Sequence, residues 1–154
     1  MIAVDRSPSR LAAARELGAT HTVLADGTEV EQSLTICPDG VDYAFDAIGI
    51  PAVAARTPRY LRAGGTAVLV GMPAVAATAP IDTWDVVTRG LTVLGCNYGS
   101  AVPARDFPLI ARAYLDGRLP LDRLVGDSVG LDGAAAAISA LSTAEGGRTM
   151  VLFP

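Results

Sequence analysis

The chain opens with Met1-Ile2-Ala3-Val4-Asp5, followed directly by Arg6-Ser7-Pro8. A short apolar run that ends at a carboxylate is typical of a buried strand that reaches the edge of a sheet. Ser7 is a favoured residue for capping a helix, and proline is favoured at the first helical position. The stretch therefore predicts a strand at residues 2–5 and a helix immediately after it.

The rest of the chain alternates short apolar runs with helical segments, as parallel α/β folds do. Gly18 is placed to end the first helix. The further predictions are strands at 21–24, 41–46, 66–70, 91–95 and 148–153 and helices at 29–36, 51–62, 82–88, from Asp106 to about 117, and at 133–141 with Asp132 as cap. Because the alternation loosens after residue 100, we predict a doubly wound parallel sheet over residues 1–100 and a differently packed segment over 101–154.

Asp5 stands where dinucleotide-binding folds of the Rossmann type carry the acidic residue that binds the adenosine ribose. A carboxylate there accepts hydrogen bonds from both ribose hydroxyls and repels a 2′-phosphate, which favours NAD over NADP. The simpler interpretation is that Asp5 is an aspartate of a turn. Enzymes that bind S-adenosylmethionine also have an acidic residue at this position, so Asp5 alone does not identify the ligand. A Gly-rich phosphate loop normally lies about 20 residues earlier, and this sequence has no such loop before Asp5.

Composition narrows the possible functions. The 154 residues, of which 51% are hydrophobic, suffice for one core, and the net charge of −4 argues against nucleic-acid partners. The sequence contains no lysine, which excludes a Schiff-base lysine, a P-loop lysine and a Tyr-x-x-x-Lys pair. Cys37 and Cys96 cannot build a four-cysteine zinc site. With no signal peptide, and with glycines and prolines interrupting the longest uncharged stretch, we expect a cytoplasmic protein without a membrane partner.

Two motifs suggest catalysis, but the residues around them do not support a catalytic role. Residues 126–130, Gly-Asp-Ser-Val-Gly, match the nucleophile elbow of hydrolases. That triad needs a histidine after the serine, and the only histidine, His21, lies far before it. Asp42 and Asp46 lie four residues apart on one strand face, too far apart for paired acid–base chemistry, and receive no predicted role. A hydrolase is therefore disfavoured.

Three predicted strands end at glycines, namely Gly49, Gly71 and the segment from Gly95 to Gly99. Ligands of open α/β sheets bind beyond the carboxyl ends of the strands, so we expect these ends to cluster at one rim. Ordinary strand-to-loop turns would give the same pattern. Arg148 either clamps a pyrophosphate with two hydrogen bonds or is a solvated charge at a strand start.

Taken together, these segments resemble the coenzyme-binding domain of the zinc-dependent medium-chain alcohol dehydrogenase family, from its second strand to its C-terminus. The similarity is greatest to the branch of alcohol and formaldehyde dehydrogenases. The segments that carry it are residues 2–7, 16–20, 40–49, 64–66, 70–73, 94–99 and 147–152.

The resemblance implies a set of NAD-binding residues. Asp5 would bind the adenosine ribose with Arg10 beside it, Arg6 and Ile48 would flank the adenine, and Arg148 would contact the pyrophosphate. Ala47, Val70 and Met72 would line the nicotinamide side, backbone groups near Val70 and Tyr98 would hold the carboxamide, and Gly49, Gly71 and Asn97 complete the predicted site.

The family also has parts that this sequence does not contain. They are the two cysteines and the histidine that bind the catalytic zinc, the four cysteines of the structural zinc, the first Rossmann strand and the Gly-rich loop. We therefore predict no catalytic and no metal-binding residue in this chain, and zinc only in the complete enzyme. A missing central strand costs on the order of 10 kcal/mol and leaves hydrophobic edges. The polypeptide alone is expected to be poorly soluble, rearranged or completed by a partner, and inactive.

The leading hypothesis is a fragment of an NAD-dependent oxidoreductase that, when complete, transfers hydride between an alcohol or aldehyde substrate and NAD. The alternative is a non-catalytic remnant or interaction module that pairs with a second copy or with an intact dehydrogenase. In the family, the strand near residues 91–95 and the loop before it help to form the dimer. A zinc-free quinone reductase is less favoured because that branch generally prefers NADP, and a methyltransferase is less favoured still because it has no role for Arg148.

Overall fold

The structure is a computed structural model that describes residues 1–141 and 147–153. Its regular elements, in chain order, are β1 (Ile2–Asp5), α1 (Pro8–Glu16), β2 (His21–Leu24), α2 (Glu29–Ile36), β3 (Val41–Asp46), α3 (Pro51–Arg56), β4 (Leu61–Leu69), α4 (Thr83–Arg89), β5 (Thr92–Gly95), α5 (Pro103–Leu115), β6 (Val125–Gly130), α6 (Ala134–Ala140) and β7 (Arg148–Leu152).

The strands pair in parallel in three sheets, with the orders β1-β2, β3-β4-β5 and β6-β7. The predicted α/β class is therefore confirmed. Among the described residues β1 pairs only with β2, and β3 pairs only with β4, so each has one open edge. On β3, Tyr43 and Phe45 stack on each other and remain 62% and 65% exposed.

The chain divides into two compact units. The middle unit comprises Ala25–Ala101, with α2 to α4 and β3 to β5. The terminal unit comprises residues 1–24 and the described residues from 102 onward. The predicted domain boundary between residues 100 and 101 stays a prediction.

The start of the terminal unit forms as its sequence predicts. The Ser7 hydroxyl accepts a hydrogen bond from the Arg10 amide at 3.4 Å, and Pro8 is the first residue of α1. Gly18, just after the helix, has a φ of +105°, a conformation that favours glycine. Leu11 is the buried residue of the helix.

The core of the middle unit surrounds its central strand, β4. Leu61 and Ala67 of β4 and Leu91 just before β5 are all buried, and Ala67 is fully inaccessible to solvent. Val41, Ala44 and Val86 pack against them. The second half of β4, residues 66–69, is a short and largely apolar run without an exposed residue, as expected of a strand covered on both faces.

The predicted helix at 51–62 is too long. Helix α3 ends at Arg56, one turn of 3-10 helix covers Thr57–Tyr60, and β4 begins at Leu61. Pro58 has no N–H to continue the α-helical ladder. Strand β4 also starts before the predicted position 66, because Leu61 pairs with Val41 ahead of a register shift.

Two predicted helix caps are wrong. Helix α5 begins at Pro103, so Asp106 lies in its first turn, where its carboxylate accepts a hydrogen bond from the Val102 amide at 2.7 Å. Helix α6 begins at Ala134 without a side-chain cap, because a 3-10 turn at Leu131–Gly133 occupies the predicted cap position of Asp132.

A partly buried ion pair joins α2 to α3. The Glu29 side chain is 6% exposed, and its two oxygens accept hydrogen bonds from the Arg56 guanidinium and the Gly27 amide, each at 2.7 Å. Both Glu29 oxygens are thus satisfied away from bulk water. Burial, and to a lesser degree the charge of Glu29, raises the pKa of the Tyr60 phenol to about 12.

Arg56→Met is expected to lower the free energy of unfolding by about 2 kcal/mol, because it leaves the Glu29 charge without its partner. The loss is smaller than for a fully buried pair because the Arg56 side chain is 38% exposed. The control is Arg62→Met, which breaks the exposed pair with Asp42 and should cost less than about 1 kcal/mol. Urea unfolding followed by circular dichroism measures both variants. Equal losses would contradict the importance of the Glu29 pair.

Candidate nucleotide-binding cleft

A cleft of about 680 Å³ lies at the carboxyl ends of β3, β4 and β5 in the middle unit. Its volume is within the usual range for small-molecule sites. The glycine-marked ends of the three strands therefore meet at one rim, as the sequence indicates. The predicted site residues that line it are Gly49, Val70, Gly71, Met72 and Asn97.

Two glycines allow the segments after β3 and β4 to touch. A Cβ atom on Gly71 would overlap the backbone nitrogen of Gly49, and one on Gly49 would lie 2.6 Å from the carbonyl oxygen of Met72. Gly49 also has a φ of +79°, a conformation that other residues rarely adopt. Any larger side chain at either position would push this wall of the cleft apart.

Asp46 connects the same two segments by hydrogen bonds. Its Oδ1 atom accepts from the amides of Ile48 at 2.9 Å and Gly49 at 3.1 Å. Its carbonyl oxygen accepts from the amides of Val70 and Gly71, both at 2.8 Å. The residue is only 2% exposed, although it lines the cleft. The sequence analysis predicts no role for Asp46. The signal that could have identified it is an aspartate followed by a turn with a glycine three residues later.

The third wall follows β5. The Cys96 amide donates to the Leu69 carbonyl at 2.9 Å, which continues the pairing of β5 with β4. The next turn is left-handed, with φ values of 51°, 66° and 51° at Tyr98, Gly99 and Ser100. Left-handed backbone at non-glycine residues is costly and is concentrated at functional sites. The Tyr98 side chain is 89% exposed.

The remaining predicted site residues fall in two places. Ala47 and Ile48 are exposed and belong to the turn that Asp46 holds. Asp5, Arg6, Arg10 and Arg148 belong to the terminal unit. The Oδ1 atom of Asp5 accepts a hydrogen bond from the Ser7 amide at 2.8 Å, so Asp5 does form a turn. Its binding of a ribose stays a prediction.

A second cavity, of about 490 Å³, is lined by residues of α2, α3 and α4. Its arginines have carboxylate partners: Arg56 pairs with Glu29, Arg59 with Glu31 and Arg89 with Asp85. These pairs leave little charge to attract a ligand, and the cavity is not at the carboxyl ends of the strands. The cleft is therefore the better candidate site.

The described residues do not fit a zinc site, because no three His, Cys, Asp or Glu side chains among them are grouped so that they could hold a metal ion. Ser128 lies within β6 and not at a strand-to-helix turn, so residues 126–130 do not form a nucleophile elbow. None of the helices in residues 1–141 and 147–153 is long and apolar enough to cross a membrane.

A cleft at the carboxyl edge of a parallel sheet is typical of nucleotide-binding α/β proteins. Residues 1–114 match the family model described as zinc-binding dehydrogenase, and the chain belongs to this family. The resemblance inferred from the sequence is thereby confirmed.

Three similar proteins agree with this assignment. An alcohol dehydrogenase zinc-binding domain protein from Burkholderia ambifaria is 35% identical with a TM-score of 0.93, over 99% of this chain and 41% of that one. A zinc-binding dehydrogenase from Sinorhizobium meliloti, solved with bound NADP, is 26% identical with a TM-score of 0.87, over 98% and 44%. Geraniol dehydrogenase from Castellaniella defragrans is 29% identical over 81% of this chain and 34% of its own length. The chain thus spans less than half the length of each of these proteins.

Gly71→Ala is expected to lower the free energy of unfolding by about 3 kcal/mol or more, because the added methyl group overlaps the Gly49 backbone. Gly95→Ala is the matched control at the same cleft, since a Cβ there meets nothing within 4 Å. It should change stability by less than about 1 kcal/mol. Denaturant unfolding of both variants is the measurement, and a similar loss in the two would contradict the close approach.

Proposed function

We propose that this chain provides the nicotinamide side of the cofactor site, and part of the adenosine side, in an NAD-dependent alcohol or aldehyde oxidoreductase. The complete enzyme transfers hydride between an alcohol and NAD. The observation that carries this proposal is the cleft at the ends of β3, β4 and β5, where Gly49, Gly71 and Gly95 leave parts of the wall without side chains. Such walls let a flat ring approach the backbone closely.

The adenosine side is proposed to depend on Asp5. One of its oxygens accepts a hydrogen bond from the Ser7 amide. The other has no hydrogen-bond partner among the described residues and can accept one from a ribose hydroxyl. Arg6, Arg10 and Arg148 are exposed and suit the adenine, ribose and pyrophosphate positions that the family assigns to them. The Sinorhizobium relative binds NADP, whereas a carboxylate at Asp5 would repel a 2′-phosphate, so we propose NAD for this chain.

Residues 101–154 are proposed to face a catalytic domain in the complete enzyme, separately from the cofactor domain at 1–100. Helix α5 buries none of its residues, and Phe107, Leu109 and Leu115 are more than 60% exposed. Apolar surface of this extent usually marks an interface. The zinc ligands and the residues that select the substrate would come from that other domain, so zinc enters no step assigned to this chain.

NADH is expected to bind the chain weakly, with a Kd on the order of a millimolar, because the sequence has no Gly-rich phosphate loop. A titration followed by ¹H–¹⁵N NMR should shift the amides of Gly49, Gly71 and Asn97. NADPH should bind about fivefold or more weakly because Asp5 repels its 2′-phosphate, and Asp5→Asn should remove that preference. Asp26→Asn, which changes an exposed carboxylate, is the control. Shifts confined to other residues would contradict the proposed site.

We also propose self-association through the open edge of β5. Among the described residues, this strand pairs only with β4. Val93 and Leu94 are 37% and 49% exposed, and the nearby helix α4 exposes Trp84 and Val87 by more than 75%. An apolar edge strand of this kind is a template for pairing with another chain. A second copy of this chain is the proposed partner, and an intact dehydrogenase with the same edge could replace it.

Val93→Pro is expected to weaken self-association by about tenfold, because proline removes an N–H from the strand edge. The Cys96 amide points toward β4, and alternate residues of a strand point in opposite directions, so the Val93 amide faces outward. The β4 pairing is thus preserved. Val93→Ala keeps the N–H and is the control. Sedimentation velocity over a concentration series measures the association, and equal behaviour of the two variants would contradict edge pairing.

A further inference from the structure

We infer that Asp46 is a positioning residue of the cofactor cleft. Its carboxylate closes the turn at residues 46–49, which the Asp46 main-chain carbonyl joins to the segment that follows β4, and the carboxylate thereby sets the shape of the wall that a ligand contacts. The inference rests on the proposed function, because the proposed function is what gives the cleft a nucleotide to bind. It assigns a role to a buried ionisable group that hydride transfer itself does not use.

Asp46 accepts hydrogen bonds from both segments that form this wall of the cleft. The side chain of Asp46 bonds to the amides of Ile48 and Gly49, and its carbonyl bonds to the amides of Val70 and Gly71. These four amides belong to the two segments that meet at the cleft. Asp46 therefore fixes the end of β3 internally and also fixes it to the end of β4.

The acceptor in this turn is a carboxylate oxygen of Asp46. A single carboxylate oxygen accepts from two amides, an arrangement that a charged oxygen favours because charge-assisted hydrogen bonds are short and strong. Without that oxygen, the partly buried amides of Ile48 and Gly49 lose their partners, and leaving such groups unpaired is costly. The turn would then move to reach water.

Apart from the main-chain bonds of the Asp46 carbonyl, the turn has few other restraints. Gly49 has no side chain to anchor it, and Ile48 is 55% exposed. The contact between Gly49 and Gly71 is made by backbone atoms alone, with no room for a side chain. Loss of the Asp46 carboxylate should therefore displace this wall of the cleft while the buried core around Ala67 remains packed.

The experiment compares Asp46→Ala and Asp46→Asn with the same substitutions at Asp42. Asp42 lies four residues earlier on the same strand, its side chain is 68% exposed, and it pairs with Arg62 outside the cleft. Two quantities are measured for each variant by NMR: the hydrogen-exchange rates of the Ile48, Gly49 and Ala67 amides, and the Kd for NADH from a titration.

Asp46→Ala should accelerate exchange at Ile48 and Gly49 by about tenfold and leave Ala67 unchanged, since only the turn loses an acceptor. It should weaken NADH binding by about fivefold or more. Asp46→Asn keeps an acceptor oxygen and should restore both quantities to within about threefold of the unmodified chain. Both Asp42 variants should match the unmodified chain.

Three results would overturn the inference: unchanged exchange at Ile48 and Gly49 in Asp46→Ala, acceleration that includes Ala67 equally, or normal NADH affinity with a loosened turn. The second result would mean that Asp46 contributes only to the overall stability of the unit. The third would mean that the turn does not affect NADH binding. If the unmodified chain does not bind NADH at all, the proposed function fails. The exchange rates then still decide whether Asp46 holds the turn.

Discussion

The backbone contact between Gly49 and Gly71 is the constraint on which the candidate site depends. It brings the turn after β3 against the turn after β4, and it exists only because neither residue has a Cβ atom. Asp46 secures this contact through the hydrogen bonds that its side chain and its carbonyl group accept from amides of the two turns. The parallel sheet supplies the rim, and the paired glycines turn that rim into a cleft that main-chain groups can line.

The stability of the middle unit comes from sources away from the cleft. The apolar core around Ala67 lies inside the sheet, and the Glu29–Arg56 pair joins two helices. The edges of β1, β3 and β5 remain open among the described residues. Tyr43 and Phe45 on β3 are also exposed, and an open edge of this kind can pair with another chain.

The chain belongs to the zinc-binding dehydrogenase family but corresponds to only part of the length of its relatives. The family match covers residues 1–114, and the fold of a bacterial relative superposes over nearly the whole chain. The chain nevertheless corresponds to less than half of that relative, and its described residues do not group into a metal site.

The sequence by itself determined the elements that depend on neighbouring residues. The bounds of α2 and β3, the Ser7 cap and the left-handed Gly18 follow from local propensity, hydrogen bonding within a few residues and glycine's freedom at positive φ. Only the tertiary structure decided the bonds between the Asp46 carbonyl and the segment after β4, the early start of β4 at Leu61 and the close approach of Gly49 and Gly71. Each of these depends on contact between segments about 20 residues apart, and the pattern of side chains along a single segment does not encode such contacts.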